Sequence, residues 1–406
     1  MIGGDFGGSA GSAVADAVHR GIGHLPAGHR GIGLIPAVER VAVLTIREAL
    51  TLWTEDFAAY GVPCEIGHYS VQGEQCEYVD SAIQKRYLRA VIPSNANWDL
   101  NTGYENAQLR TGEGSPSTHN LLRWIMLNKD KVVTPSSQEA ESPRTHFVCS
   151  RYALAKLLCT PYEDSEGWRI AACRHRGIVY MRTIPKNEGV ERPLGDIRDR
   201  DRHRLCYCGK KFQLLMTTDE AGAAPKEDEV VRESDAYNVV LRCQLGSHSI
   251  VLGAEVKAVD PSVQCEPGST AAYVDIRTYG GSFNKRNRYR FYRHVLLRWW
   301  AHCRLAGCPK TYCGYRNESG VVFSIEELDV MRIPEKAAGK WSEDVCMKFC
   351  EKLLSFIRRR AEENDGRKAY LFEYVPTLGE IICTRLTDPG NVYGLPDWFL
   401  EAFEGY

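Results

Sequence analysis

Two stretches with strand-like alternation constrain this chain most, because each sets an acid and a base two residues apart. The first reads Ile250-Val-Leu-Gly-Ala-Glu-Val-Lys-Ala-Val-Asp260, and the second reads Ala271-Ala-Tyr-Val-Asp-Ile-Arg-Thr278. A strand repeats every two residues, so Glu255 and Lys257 leave the first on one side. By the same rule Asp275 and Arg277 share a face of the second, and Val274 and Ile276 turn the other way into apolar packing. Placed next to each other, two such strands gather four charges into one small patch. That layout serves metal-dependent phosphoryl chemistry, in which carboxylates hold a cation and a base meets a phosphate or the attacking water. The same pattern also describes two half-buried strands with solvated charges, and the rest of the chain has to decide between them.

The chain has 406 residues, enough for one large domain or two ordinary ones with ample core. Its net charge is −1, so a polyanion site has to come from local clustering rather than from a global field. Such clusters exist in the run Arg198, Arg200, Arg202, His203 and Arg204, and again in Lys285, Arg286, Arg288, Arg290, Arg293 and His294. The cysteines number fifteen, an odd count with no secretory signal ahead of them, which argues for free thiols in a reducing compartment. Cys206 and Cys208, and Cys303, Cys308 and Cys313, lack the C-x-x-C pairs of structural zinc sites. No apolar run approaches a membrane span. These features predict a soluble nuclear or cytoplasmic protein with no membrane partner.

Residues 1–40 are rich in Gly, Ala and His and nearly repeat themselves, as His19-Arg-Gly-Ile-Gly-His-Leu-Pro-Ala27 and His29-Arg-Gly-Ile-Gly-Leu-Ile-Pro-Ala37. The composition predicts a flexible segment. A phosphate-cradling loop would need a strand before it and a helix after it, and a signal peptide would need a continuous apolar stretch. Residues 41–406 read as one domain. Residues 111–119 and 134–144 read as exposed loops around a helix carrying Leu121, Trp124 and Ile125. Phe147–Cys149 is a strand running into a helix over Arg151–Leu158, with Arg151 at the junction. Trp168–Ala172 and Gly177–Met181 form a hairpin, 185–204 a charged loop, and Cys206–Met216 and Tyr237–Leu245 strands. A basic helix follows Gly281 and ends near Gly307, before Pro309. Lys310–Arg316 and Val321–Ile325 make another hairpin, Ser342–Glu363 a long amphipathic helix, and Tyr370–Tyr374 and Glu380–Cys383 the closing strands. Helices flanking mixed, mostly antiparallel sheets predict a single large α/β (α+β) domain.

Read together, these segments resemble the DXO family of RNA 5′-end decapping nucleases, in order from about Gly67 to Glu380. The blocks that carry the resemblance are Phe147-Val-Cys-Ser-Arg-Tyr152, Cys206-Tyr-Cys-Gly-Lys-Lys-Phe-Gln213, Gly253-Ala-Glu-Val-Lys-Ala-Val-Asp260, Tyr273-Val-Asp-Ile-Arg-Thr278, Trp299-Trp-Ala-His-Cys303 with Gly307, and Gly314-Tyr-Arg316. The resemblance implies a core like that of phage-type exonucleases, of the PD-(D/E)xK kind. It implies hydrolysis at RNA 5′ ends by two divalent cations, Mg2+ or Mn2+. The family positions for metal fall on Gln213, Glu255, Lys257, Asp275 and Ile276, and those for chemistry on Glu255, Lys257, Asp275 and Arg277. Glu105, Arg151, Arg277 and His302 fall where the family contacts substrate. A 5′-3′ exoribonuclease or another RNA-processing protein is the partner class the resemblance suggests.

The departures from the family pattern fall at the chemistry. G-Y-K-F-E ends here in Gln213, the second acid of E-x-D is Lys257, and E-x-K becomes Asp275 and Arg277. The family's W-R-G is Ser150-Arg151-Tyr152, and the glutamine of W-W-A-Q-S is His302. Three of the four metal carboxylate positions are altered, and the constellation sums to zero charge where the family carries −3. A lysine about 4 Å from a divalent cation is repelled by roughly 8 kcal/mol at an effective dielectric near 20. Shedding its proton at pH 7 costs about 4 to 5 kcal/mol. The leading expectation is a protein that engages RNA 5′ ends with metal-dependent hydrolysis weakened or lost. The alternatives are an active decapping pyrophosphohydrolase and 5′-3′ exoribonuclease, and an interaction protein that does not bind RNA.

Overall fold

The alternating apolar residues of 236–255 form a hairpin inside a ten-stranded sheet, in a computed structural model that describes residues 38–51, 59–93, 95–109, 116–133, 145–185, 197–280, 284–387, 393–404 and 406. The N-terminal repeat, the loop at 134–144, and the side chains of Arg198, Arg200 and Arg202 lie outside the described residues. In chain order the first strands are β1 (Val38–Thr45), β2 (Cys64–Gln72), β3 (Glu77–Val79), β4 (Tyr87–Leu88), β5 (Trp98–Asp99) and β6 (Phe147–Ser150). Next come β7 (Arg169–His175), β8 (Ile178–Ile184), β9 (Thr217–Thr218), β10 (Ala236–Leu245) and β11 (His248–Glu255). The last are β12 (Ala258–Val259), β13 (Tyr273–Gly280), β14 (Lys310–Arg316), β15 (Val321–Asp329), β16 (Ala369–Val375) and β17 (Glu380–Leu386). The helices are α1 (Ile46–Thr51), α2 (Pro116–Leu127), α3 (Arg151–Cys159), α4 (Ile197–Met216), α5 (Lys285–Arg290), α6 (Leu296–Ala306), α7 (Ile333–Lys336), α8 (Glu343–Arg360) and α9 (Asp397–Glu401).

Among the described residues these strands form two sheets, ordered β1-β17-β16-β7-β8-β6-β11-β10-β2-β3 and β5-β15-β14-β13-β12-β4-β9. Most neighbours are antiparallel. The exceptions are β6, parallel to both β8 and β11, and the pairs β13–β14 and β12–β4. The all-buried run of β6 suits a central parallel strand covered on both faces. Val239, Leu241, Ile250 and Leu252 face Leu154, Trp300, Phe349 and Leu353 from α3, α6 and α8. Val240 and Val251 turn to the other face, against Leu121 and Trp124 of α2. Each such buried side chain contributes on the order of 1.5–3 kcal/mol through area removed from water. The turn between β10 and β11 is Gly246-Ser247, and a Cβ at Gly246 would lie 1.9 Å from Glu351 Oε1.

The mixed, mostly antiparallel single domain agrees with the sequence reading, as do the junction at Arg151 and the hairpins β7–β8 and β14–β15. Ser342 caps α8, which ends at Arg360. Three expectations change. Cys206–Met216 is not a strand but the second half of α4, which also absorbs the end of the expected 185–204 loop. Its apolar residues Cys208, Phe212, Leu215 and Met216 recur at helical spacing and pack on Val274, Ile276 and Tyr312 of the second sheet. Helix α2 opens at Pro116, inside the stretch read as loop, because proline is pre-organised for a first helical turn. Finally, 250–260 is not one strand: β11 belongs to the larger sheet and β12 to the smaller. At the break, the Val256 N–H donates to the Tyr237 carbonyl and the Lys257 carbonyl accepts from the Gln213 amide, so neither group is left unsatisfied.

Candidate functional site

The acid-x-base pairs meet where the chain passes from one sheet to the other. Glu255 closes β11, and Lys257 follows in the two-residue break before β12, which pairs with β13. On β13 the period of two turns Val274 and Ile276 into the core beneath α4 and sends Asp275 and Arg277 to the opposite side. Helix α4 supplies Lys210 and Gln213, three residues apart and therefore on one helical face. Helix α3 begins with Arg151 straight after the parallel strand β6, its first turn capped by the Ser150 hydroxyl, which accepts from the Ala153 N–H at 3.2 Å. Helix α6 brings His302.

Both carboxylates are already held by cationic side chains. Lys257 Nζ lies 2.5 Å from Glu255 Oε1, and Lys210 Nζ lies 3.1 Å from the same oxygen while also donating to the Asp235 carbonyl at 2.8 Å. Arg277 Nε donates to Asp275 Oδ2 at 2.6 Å, and the Cys303 thiol and Thr311 hydroxyl reach that oxygen at 3.4 Å. Burial opposes ionisation of Glu255, but Lys210 and Lys257 outweigh it and hold the carboxyl well below its ordinary range. Burial likewise works against Asp275, and Arg277, joined by Arg151 and Lys257, holds it down. Burial also pushes the Lys257 ammonium down to about 8, with Lys210 and Arg277 adding repulsion and Glu255 resisting.

Arg151 is buried, and its guanidinium has no hydrogen-bond or ion-pair partner among the described residues. Its charge acts on Asp275 and on His302. His302 is driven far below the ordinary imidazole range by burial first and then by Arg151, Arg277 and Lys257, so its ring is neutral. That ring stacks with the exposed Tyr152 at 6.2 Å and walls a cleft of about 130 Å³ lined also by Lys156, Glu163, Trp168 and Arg298. Glu105 sits in the turn Tyr104–Asn106, exposed, with its charge acting on Tyr207 of α4; it makes none of the described contacts with the two ion pairs. Ile276 is a buried core residue in register with Tyr312.

Lys210 is the member that reading the segment as a strand hides. Read as a helix, the spacing of three residues between Lys210 and Gln213 puts both on the face that meets Glu255 and Lys257. Counting Arg151, Lys210, Lys257 and Arg277 against Glu255 and Asp275, four cations face two carboxylates, an excess of two positive charges. Asp275 Oδ1 and Gln213 Oε1 are buried acceptors without a described donor. Among the described residues no three His, Cys, Asp or Glu side chains are grouped as a metal site. This donor set does not fit the two divalent cations that the resemblance implies, because each carboxylate already carries a cationic partner and the surplus charge repels a metal. No helix among the described residues is long and apolar enough to cross a membrane.

A family model described as RAI1-like PD-(D/E)XK nuclease matches residues 61–400. The chain is 32% identical over 362 residues to the Bos taurus decapping and exoribonuclease protein, covering 86% of this chain and 87% of that one. It is 31% identical over 358 residues to the Homo sapiens protein of the same name, covering 86% and 88%. In fold it resembles Candida albicans Rai1 in complex with pU5 and Mn2+, with a TM-score of 0.74 at 17% identity over 91% of this chain and 99% of that one. Schizosaccharomyces pombe Rai1 in complex with 3′-FADP gives 0.66 at 19% identity, covering 86% and 100%.

Proposed function

The chain belongs to the RAI1-like PD-(D/E)XK nuclease family, and from that premise we propose that it binds RNA 5′ ends with metal-dependent hydrolysis weakened or lost. The observation that carries this reading is the pair of lysine ammoniums on a single oxygen of Glu255. A divalent cation bound by Glu255 would meet each lysine at contact range, with a repulsion on the order of 8 kcal/mol per lysine at 4 Å and an effective dielectric near 20. The same cations favour the other half of the task. Arg151, buried with no hydrogen-bond or ion-pair partner among the described residues, and Arg277 carry guanidinium donors suited to phosphate oxygens. Neutral His302 and the cleft behind it border that charged surface and would receive the nucleoside next to the bound phosphate. A protein of this kind shields 5′ ends from active decapping enzymes and exonucleases in the nucleus or cytoplasm.

A second reading has a specific observation in its favour. Asp275 Oδ1 is a buried oxygen with no described donor, and a single cation held by Glu255 and Asp275 would give it a partner. In that reading the protein is an active nuclease with one metal, and Lys257 supplies charge to the phosphoryl transition state. Incubating the purified protein with 5′-triphosphate, unmethylated-capped and 5′-monophosphate RNA in Mg2+ and in Mn2+ separates the two. Binding without turnover is the expected result. Turnover that disappears in Glu255→Ala overturns the proposal in favour of the one-metal nuclease.

A further inference from the structure

We infer that Lys210 and Lys257, together with Arg151 and Arg277, form a receptor for a terminal phosphate that needs no divalent cation, the two ammoniums taking the charge-neutralising role of metal ions. This rests on the reading of the protein as an RNA 5′-end binder, and it names what that end must carry.

The first argument is donor capacity. An ammonium has three N–H donors and a guanidinium five. Lys257 commits one to Glu255, and Lys210 commits one to Glu255 and one to the Asp235 carbonyl. Arg277 commits its Nε to Asp275, and the guanidinium of Arg151 has no described partner. Donors therefore remain on all four cations, with Lys210 and Lys257 on Glu255, Arg277 on Asp275, and the charges of Arg151 and Lys257 acting on Asp275 as well.

Access is the second argument. The side chains of Lys257, Lys210, Arg277 and Glu255 are 16%, 18%, 25% and 29% exposed. They are sheltered enough for charge to act strongly and open enough for a ligand to reach.

Charge gives the third argument. An excess of two positive charges matches a terminal phosphomonoester, which carries about −1.5 to −2 at neutral pH. An internal phosphodiester carries a single negative charge and leaves part of the excess unmatched. The site as built therefore selects an RNA end over an RNA interior.

Glu255 has a distinct role in this arrangement. It holds the two ammoniums side by side, and it also competes with the ligand for them. In a metal site the same residue would be a ligand whose loss weakens binding, so its substitution separates the two possibilities by sign.

The test is equilibrium binding of the full-length protein to one oligoribonucleotide prepared with a 5′-monophosphate and with a 5′-hydroxyl, each in EDTA and in Mn2+. The expected result is at least tenfold tighter binding of the phosphorylated strand in EDTA, changed less than twofold by Mn2+. The double variant Lys210→Met/Lys257→Met should lose that preference. Glu255→Gln should bind the phosphorylated strand about threefold tighter or more, and thermal unfolding checks that each variant is folded. A preference that appears only with Mn2+, or weaker binding by folded Glu255→Gln, overturns the inference. Equal binding of both strands also overturns it, while leaving the RNA-binding reading in place. Failure to bind either strand removes that reading and this inference together.

Discussion

At the scale of single residues, the substitutions that set this chain apart act by charge, and they act as a group. Lys257 stands where the family pattern has an acid, yet Lys210 contacts the same Glu255 oxygen, 3.1 Å away, so reversing Lys257 alone leaves one repelling ammonium behind. We expect the fourfold variant Gln213→Glu, Lys257→Asp, Asp275→Glu, Arg277→Lys to bind Mn2+ weakly. Adding Lys210→Met should strengthen binding at least tenfold over the unsubstituted protein, as read by calorimetry. The terms are neighbours and will not add independently. A fivefold variant that folds and still gains no metal would show that these positions do not by themselves disable the site. Glu163, in the wall of the cleft, yields a pH prediction. Burial raises its pKa, but hydrogen bonds from Arg298, from the Glu166 and Ser165 N–H groups and from the Ser165 hydroxyl bring it down to about 2. A carboxylate depressed in the folded state contributes stability above its unfolded value, near 4.5, and that contribution disappears as pH falls through about 2. Glu163→Gln should therefore cost up to about 3 kcal/mol at pH 7 and little at pH 2, measured by urea unfolding across that range.

Among the elements, α4 is the one on which the site depends. Its apolar residues seat it on β13 and β14, and this seat aims Lys210 and Gln213 at the break between β11 and β12. Gly314 on β14 makes the seat possible, since a Cβ there would lie 2.6 Å from the Phe212 ring, which is fully buried. Gly314→Ala should destabilise the protein by about 1–3 kcal/mol through overpacking. It should also weaken RNA binding by lifting the helix from the sheet, although residue 314 carries no functional group. Chemical denaturation and the same oligoribonucleotide titration check the two effects; unchanged values in both would mean that the ring yields without moving α4.

For the whole molecule, the functional patch is a product of topology. Asp275 and Arg277 share a side by strand period alone and their pairing is legible in the sequence, whereas Glu255 and Lys257, expected together for the same reason, meet instead across the break that follows β11. The hairpins, the junction at Arg151 and the mixed single domain were legible for the same reason, from apolar periodicity and turn residues. The order of the family motifs carried the expected departure from metal chemistry, since formal charge is a property of composition at named positions. What local rules do not contain is the partner of each pair. Lys210 reaches Glu255 across 45 residues of chain, and the cysteines and aromatics of 206–216 suit a strand as well as a helix, so the helical spacing of α4 is decided by the surface that the second sheet offers it to cover. The hand-over of the chain between sheets at Val256 and Lys257 likewise depends on hydrogen bonds to Tyr237 and Gln213, residues distant in sequence. The sequence by itself determined which charges exist and, for Asp275 and Arg277 on β13, which face of the strand they occupy. The tertiary structure alone decided that two lysines, and not one, neutralise the remaining glutamate, because that neutralisation is a long-range contact set by how a helix packs on a sheet.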